Sequence, residues 1–411
     1  MQAAASRGTG DGSAPVSAGY TPERFTIHVP DPVLADLRDR LGRTRWPDDL
    51  GNDDWRYGSS RAYLEPLVRY WLEAYDWRAQ EAAMNRFEHF RVTIEDVPVH
   101  YLRRRGSGAN PVPLILTHGW PWTFWDLAQV IEPLADPAAY GGDPRDSFDV
   151  IVPSLPGFGF SSPLRRTGVG AARTARLWRT LMRDVLGYER FGAQGADFGA
   201  VVTQRLAEDY PDDLIGVHLS RYKRPPGNSA PGASAVSPDD YGPDEAGDYE
   251  RNAAGLAAAA SHLHVHASDP QSLAYSLTDS PAGLAAWILE RRRAWSDCDG
   301  DLERAFTRDH LITTLMIYWV TDTATSSLRY YWETAREGAR PPWQPGEQVI
   351  TVPVAVGVLP KDVMAMPRRH AEEDTDLRRW TRYPRGGHFG AAEVPDLIVE
   401  DLRAFFRPLR G

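Results

Sequence analysis

The pattern of hydrophobic and polar positions divides the chain into segments of different texture. Over residues 25–89 apolar side chains recur at helical spacing: Val33, Leu34, Leu37 and Leu41 follow Asp31, a helix-cap candidate with Pro32 at the first helical position. Further amphipathic helices are predicted over 64–75 and 77–87, with Pro66 near the start of the former. Near Phe90 the period drops to two. Residues 90–94 and 97–102 alternate like the arms of a hairpin that turns at Glu95-Asp96. Short, continuous apolar runs then stand at 114–116, 150–152, 215–219 and 352–358, with helical patterns between most of them. Such runs suit strands covered on both faces, and their alternation with helices implies an α/β architecture with a mostly parallel, doubly wound sheet. Function is then expected at the carboxyl ends of the strands.

One interruption stands out. Residues 223–247 are dense in Pro, Gly, Ser and Asp and are expected to form a mobile loop, and residues 250–335 are helical in pattern and heavy in Trp and Tyr. The stretch 221–345 is therefore expected to be a helical lid inserted between two parts of one core, 90–220 and 346–411. Residues 1–24, rich in Ala, Gly and Ser, are expected to be disordered, which leaves 25–89 as a helical N-terminal segment.

Composition narrows the function classes. At 411 residues the chain is long for one compact core, in keeping with a main domain and a lid. A formal charge of −10, with Lys223 and Lys361 the only lysines, speaks against a nucleic-acid surface. The single Cys298 excludes an intramolecular disulfide and any zinc site built on several thiolates. No apolar run approaches the roughly 20 residues of a membrane span, and the chain's start lacks the basic and apolar regions of a signal peptide. No membrane anchor and a cytoplasmic location are expected; oligomeric state is left open, a homodimer included.

The chemistry is carried by Gly195-Ala196-Asp197-Phe198-Gly199, which reads as a strand entering a sharp turn and then a helix, with an acid at the apex and small residues two places on either side. In α/β-hydrolases that apex holds the nucleophile. A carboxylate there suggests attack on carbon, followed by hydrolysis of the ester so formed. After the strand at 114–116, Thr117-His118-Gly119-Trp120-Pro121 stands where this fold has its oxyanion loop, so the backbone N–H groups of Trp120 and Phe198 are candidates for holding an oxyanion. Near the end, Arg385-Gly386-Gly387-His388-Phe389-Gly390 puts a histidine in a glycine-rich loop and completes the chain order of nucleophile, acid and base. The acid is expected after the strand at 352–358, where Asp362 would accept the ring N–H of His388; Glu372 and Asp374 are rivals. Trp120, Trp122, Phe158, Phe198, Trp287 and Trp319 are candidates for an aromatic pocket wall.

With these residues in place, the chain resembles the microsomal-type branch of the epoxide hydrolases from about Phe25 to Phe406. The resemblance rests on Phe25-Thr26-Ile27-His28-Val29-Pro30, Arg45-Trp46-Pro47, His118-Gly119-Trp120-Pro121, Leu155-Pro156-Gly157-Phe158-Gly159-Phe160-Ser161, the Asp197 elbow, Asp279-Ser280-Pro281-Ala282-Gly283-Leu284-Ala285-Ala286 and the His388 loop. It implies a helical N-terminal segment wrapped on an α/β-hydrolase core and lid. It also implies hydrolysis of a small-molecule epoxide, aromatic or apolar in body, to a vicinal diol by water through an Asp ester, with no cofactor and no metal. The membrane anchor that begins some relatives is expected to be absent. Enzymes of this kind act in secondary metabolism and in detoxification, and both roles are compatible with the resemblance.

Relatives use two lid tyrosines as acids on the epoxide oxygen. Tyr331 matches one, but the position matching the other is His262. Three outcomes stay open: a protonated His262 donates in place of the phenol, Tyr331 acts alone, or the substrate needs less protonation. His262, His264 and His266 alternate and invite a metal reading, but alternation gathers side chains on one face only in a strand, and this region is helical in pattern. Two rivals to the main reading remain. A haloalkane dehalogenase would share the ester but wants a halide-binding Trp after the nucleophile, where Phe198 stands; a non-catalytic ligand-binding homologue is motivated by His262.

Overall fold

A computed structural model of the chain describes residues 19–224, 236–337 and 347–410. One nine-stranded sheet organises it, in the order β1-β2-β3-β5-β4-β6-β7-β8-β9. The strands are β1 (Glu23–Phe25), β2 (Glu88–Ile94), β3 (Val97–Arg104), β4 (Val112–Thr117), β5 (Phe148–Pro153), β6 (Phe191–Gly195), β7 (Leu214–Leu219), β8 (Ile350–Val358) and β9 (Thr375–Arg382). β1 through β3 pair antiparallel and join β5, whereas β5, β4, β6, β7, β8 and β9 run parallel. The hairpin expected at Glu95-Asp96 forms, and both residues take positive φ, the conformation that a tight two-residue turn needs. The apolar runs at 114–116, 150–152, 215–219 and 352–358 all lie in parallel strands.

The helices are α1 (Asp31–Gly42), α2 (Arg61–Glu73), α3 (Trp77–Met84), α4 (Ala128–Ala135), α5 (Ala171–Thr180), α6 (Phe198–Asp209), α7 (Asp248–Ser268), α8 (Pro270–Asp279), α9 (Pro281–Trp295), α10 (Arg308–Val320), α11 (Ala324–Ala335), α12 (Arg368–Asp374), α13 (Gly390–Glu393) and α14 (Pro395–Phe406). Two glycines of β6 reveal the double winding. Gly192 and Gly195 point to opposite faces; a Cβ on Gly192 would meet Phe406 of α14, and one on Gly195 would meet Gly199 of α6. α4 packs beside α14, and α5 beside α6. Helices α7–α11 interrupt the sheet between β7 and β8, where the helical insertion is expected.

The N-terminal helices lean on that insertion. Ser59 donates to the Ala286 carbonyl at 2.6 Å, Trp71 Nε1 donates to Met316 Sδ at 3.2 Å, and Arg40 pairs with Asp279 at 2.7 Å.

Three local expectations need correction. Order starts before Phe25: Glu23 and Arg24, inside the stretch expected to be disordered, pair with β2, while residues 1–18 lie outside the described residues. Asp31 does not cap α1; Pro30 holds the cap position, and Asp31 is the first helical residue, ion-paired to Arg78. Of the loop expected to be mobile, 225–235 lie outside the described residues. Within the described stretch 236–247, Tyr241 donates to the Ala365 carbonyl at 2.8 Å, and buried Glu245 accepts from Arg368 N at 2.9 Å.

Candidate active site

β6 ends at Gly195, and the chain reverses into α6 through Asp197, whose φ of 53° and ψ of −120° lie outside the usual regions for a residue with a Cβ. The small neighbours make this turn possible. A Cβ on Gly195 would lie 2.0 Å from the Gly199 carbonyl oxygen, and a Cβ on Gly199 would lie 1.9 Å from that of Thr117. Gly119 serves the same packing from the other side, since a Cβ there would sit 2.4 Å from Asp197 Oδ1. With no side chain in the way, the Trp120 N–H donates to that oxygen at 2.9 Å. Phe198 is the first residue of α6, so its N–H has no partner within the helix and lies at the positive end of the helix dipole.

The second carboxylate oxygen faces two cationic side chains. Oδ2 lies 3.5 Å from His388 Nε2 and 3.6 Å from Arg221 Nη2. His388 is held from behind: its Nδ1 bonds Asp362 Oδ1 at 2.7 Å, and its backbone N–H donates to the Trp295 carbonyl at 2.8 Å. Asp362 follows β8 and is fixed in turn by the Val363 N–H at 2.6 Å. The rivals stand elsewhere, with buried Asp374 bonded to Tyr222 and Arg224 and exposed Glu372 bonded to Arg368.

Electrostatics follow from this geometry. Burial disfavours the Asp197 charge, but the adjacent His388 cation, the Arg221 guanidinium and the Trp120 N–H outweigh it and hold the carboxyl well below the usual range. Asp362 shows the same balance: burial raises it, and His388, Arg221 and the Val363 N–H bring it below the ordinary value. Burial opposes the His388 cation, yet the two flanking carboxylates push its pKa up to about 9. The resting site is thus a carboxylate, imidazolium, carboxylate row with Arg221 at one end.

Above Asp197 opens a cavity of about 410 Å³. Asp197, His388 and Arg221 line it from the strand-end side, and His262, Trp295 and Tyr331 from the inserted helices. Tyr331 packs edge-on against Phe198 with ring centroids 4.5 Å apart, and His262 stacks on Trp120 at 5.3 Å. The adjacent tyrosines divide sharply, because Tyr330 is turned away and donates to Thr174 Oγ1 at 2.8 Å. Burial, then the Asp197 charge, raises the Tyr331 hydroxyl well above its ordinary value, so it is protonated at neutral pH. In α7, His262 and His266 share the buried face and His264 is exposed, as helical spacing dictates.

The sequence reading therefore brings Asp197, His388, Asp362, Trp120, Phe198, Tyr331 and His262 to one place. Of the candidates for an aromatic wall Phe198 lines the cavity, whereas Trp120, Trp122, Phe158, Trp287 and Trp319 are not among its lining residues. Trp122 lies behind His388, edge-on at 5.7 Å, and its carbonyl accepts from Tyr318 at 2.7 Å. Phe158 is buried against His118 and Tyr330. Trp287 turns its Nε1 to His266 at 3.0 Å, and half-buried Trp319 lies under Arg40. Three contributors were missed: Arg221, Trp295 and Glu393, which accepts the N–H groups of Asp297, Gly387 and Phe389 and so braces the His388 loop. Arg221 was open to detection as a cation two residues past a strand's carboxyl end.

Comparison with known proteins gives the family. Residues 22–127 match the family described as epoxide hydrolase N terminus, and residues 112–336 match the alpha/beta hydrolase fold. A Stigmatella aurantiaca protein that carries the epoxide hydrolase name is 40% identical over 96% of this chain and 86% of its own length. Epoxide hydrolase 1 of Sus scrofa is 30% identical over 96% of this chain and 91% of its own. The chain belongs to the epoxide hydrolase family. Its fold is the α/β-hydrolase fold: juvenile hormone epoxide hydrolase from the silkworm Bombyx mori superposes with a TM-score of 0.83 at 26% identity, covering 95% of both chains. The epoxide hydrolase of Aspergillus niger gives 0.80 at 26% identity over 96% of this chain and 98% of that one. Among the described residues, no helix of this family member is long and apolar enough to cross a membrane.

Proposed function

We propose that this epoxide hydrolase opens its substrate in two covalent half-reactions centred on Asp197. The observation that carries the reading is the division of labour between the two Asp197 oxygens. Oδ1 is held by the Trp120 N–H, and Oδ2 faces the cavity beside His388. In the first half, Oδ2 bonds to a ring carbon, the carbon–oxygen bond on the far side breaks, and the freed oxygen takes the Tyr331 proton. Its raised pKa keeps Tyr331 protonated until an alkoxide, a far stronger base, is formed. His262, on the same wall, is a second donor candidate.

Esterification removes the Asp197 charge that had kept His388 protonated. His388 then gives up its proton to solvent and becomes a base that Asp362 holds in the correct tautomer. In the second half, water loses a proton to His388 Nε2 and attacks Asp197 Cγ. Negative charge gathers on Oδ1, where the Trp120 and Phe198 N–H groups stabilise it. The tetrahedral species collapses, the diol oxygen leaves with the proton from His388, the Asp197 carboxylic acid left behind passes its proton to His388, and solvent restores the proton to Tyr331. The cavity volume and its lining of Val201, Leu256, Leu263, Trp295 and Met364 suit an apolar or aromatic epoxide.

A single turnover in oxygen-18 water tests the scheme. Label is expected in the peptide carrying Asp197 and not in the first diol formed. Labelled diol with an unlabelled Asp197 would instead mean direct attack of water on the epoxide.

A further inference from the structure

Arg221 has no part in the scheme above, yet it is a cation placed against the nucleophile. It follows β7 by two residues, its side chain is 13% exposed, and its Nη2 lies 3.6 Å from Asp197 Oδ2. Among the described residues the guanidinium makes no hydrogen bond, and Asp197 is its one ion-pair partner. His388 Nε2 approaches the same oxygen at 3.5 Å. Two cations thus share one oxygen and cannot be more than about 7 Å apart, inside a Debye length and with little intervening solvent.

We propose that Arg221 is a positioning residue that drives the proton off His388 once Asp197 has become an ester, and so sets the pH at which the second half-reaction runs. The proposal rests on the two-step reading. While Asp197 is ionised, cation, anion and cation alternate and each anion–cation contact is favourable. Bond formation between Oδ2 and carbon deletes the central anion and leaves Arg221 facing the imidazolium across a neutral ester. The two carboxylates facing His388, Asp362 after β8 and Glu393 on α13, are unchanged by that event, whereas Tyr331 on α11 has by then given its proton to the epoxide oxygen; His262 on α7 lines the same cavity, and the uncharged rings of Trp122, Trp295 and Phe389 pack around the imidazole. Asp362 alone would keep the imidazole protonated; Arg221 opposes it. The base that results takes its proton from water, the water oxygen bonds to Cγ, the Cγ–O bond to the diol breaks, the proton passes to the departing diol oxygen, and the Asp197 acid left behind returns its own proton to His388.

The experiment compares wild type with Arg221→Met, Arg221→Gln and Arg221→Lys, using styrene oxide as probe. Single-turnover quenching with intact-mass detection follows formation and decay of the ester as a function of pH. In the Met and Gln variants the midpoint of ester hydrolysis is expected to rise by about one pH unit, roughly tenfold in rate below the midpoint, with ester accumulating there. In the Lys variant the midpoint is expected to stay near that of wild type. An unmoved midpoint in folded Met and Gln variants overturns the proposal, as does a Lys variant displaced as far as Met. His388→Gln separates this from failure of the two-step reading. If it forms no ester, that reading has failed; if it traps ester while the Met midpoint is unmoved, only the role of Arg221 has failed.

Discussion

The two walls of the cavity are built by different physics. On the strand-end wall each reacting side chain is held by hydrogen bonds from a loop that follows a parallel strand: Trp120 N–H to Asp197, Asp362 to His388, Val363 N–H to Asp362. On the helical wall the contacts are between rings, His262 on Trp120 and Tyr331 on Phe198. Directional bonds fix atoms to a few tenths of an ångström, as covalent chemistry requires. Ring packing fixes shape and excludes water but tolerates exchange of one flat side chain for another. In the proposed scheme the first wall sets which reaction occurs, and the second sets how fast the oxygen is protonated and which substrate fits.

Substitutions that break the strand-end wall are expected to have the largest effects. Asp197→Ala removes the nucleophile, and diol formation from an aryl epoxide should fall by on the order of 10⁴-fold or more with the thermal melt retained. Residual activity within about tenfold of wild type would disprove covalent attack by this residue. Next in size, His388→Gln and Asp362→Asn should each lower turnover by roughly 10²–10⁴-fold. The expected signature is a trapped enzyme ester in the mass spectrum, because each spares the first half-reaction. Slow turnover without ester would mean that these residues act before, not after, carbon–oxygen bond formation.

The helical wall should give smaller effects. Tyr331→Phe is expected to slow ester formation by about 10–100-fold, and His262→Phe by a few-fold if Tyr331 is the main acid. The two substitutions together sharpen the comparison. If His262 shares the proton donation, the double variant loses more than the product of the single losses; if Tyr331 acts alone, the losses multiply. Pre-steady-state rates of ester formation distinguish these outcomes.

The contrast between the walls also governs what could be read in the sequence. Asp362 and the Trp120 loop were legible because each follows an apolar run, and Asp197 and His388 because each sits in a glycine-flanked turn in the expected chain order; the carboxyl ends of parallel strands converge whatever the details of packing. Gly195 and Gly199 added a steric reason for the sharp turn. The aromatic wall was not legible in the same way. Trp287 and Trp319 lie on α9 and α10, and α10 is buried continuously from Leu311 to Tyr318, so no polar stripe fixes its rotation. Trp295 reaches the cavity because α9 ends beside the His388 loop, a contact between segments far apart in the chain. Trp122 and Phe158 were misplaced for a related reason: their loops were located correctly, but the side chains turn inward behind the catalytic row. Arg221 could have been found by the same strand-end rule as Asp362.

The smallest expected effect tests whether the strand-end wall is held by charge as well as by packing. His388 titrates near 9 in the folded chain against an ordinary value of 6.5. A group whose pKa is raised on folding stabilises the fold fully below its unfolded value and loses that contribution as pH rises through its folded value. The contribution of His388 should therefore be complete below about pH 6.5 and gone above about pH 9, a difference of at most about 3 kcal/mol for this buried group. Asp197 works in the opposite direction, since its depressed pKa gives stability that is lost only in acid. Urea melts of wild type and His388→Gln at about pH 6 and about pH 9.5 should show the stability gap between them shrinking by about 2–3 kcal/mol at the higher pH. Tyr331→Phe supplies the control from the ring-packed wall. Its hydroxyl stays protonated throughout that range, so its gap from wild type should be the same at both pH values. A His388→Gln gap that also ignores pH would mean that the imidazole is neutral at rest, and the charge alternation through Asp197 would have to be abandoned.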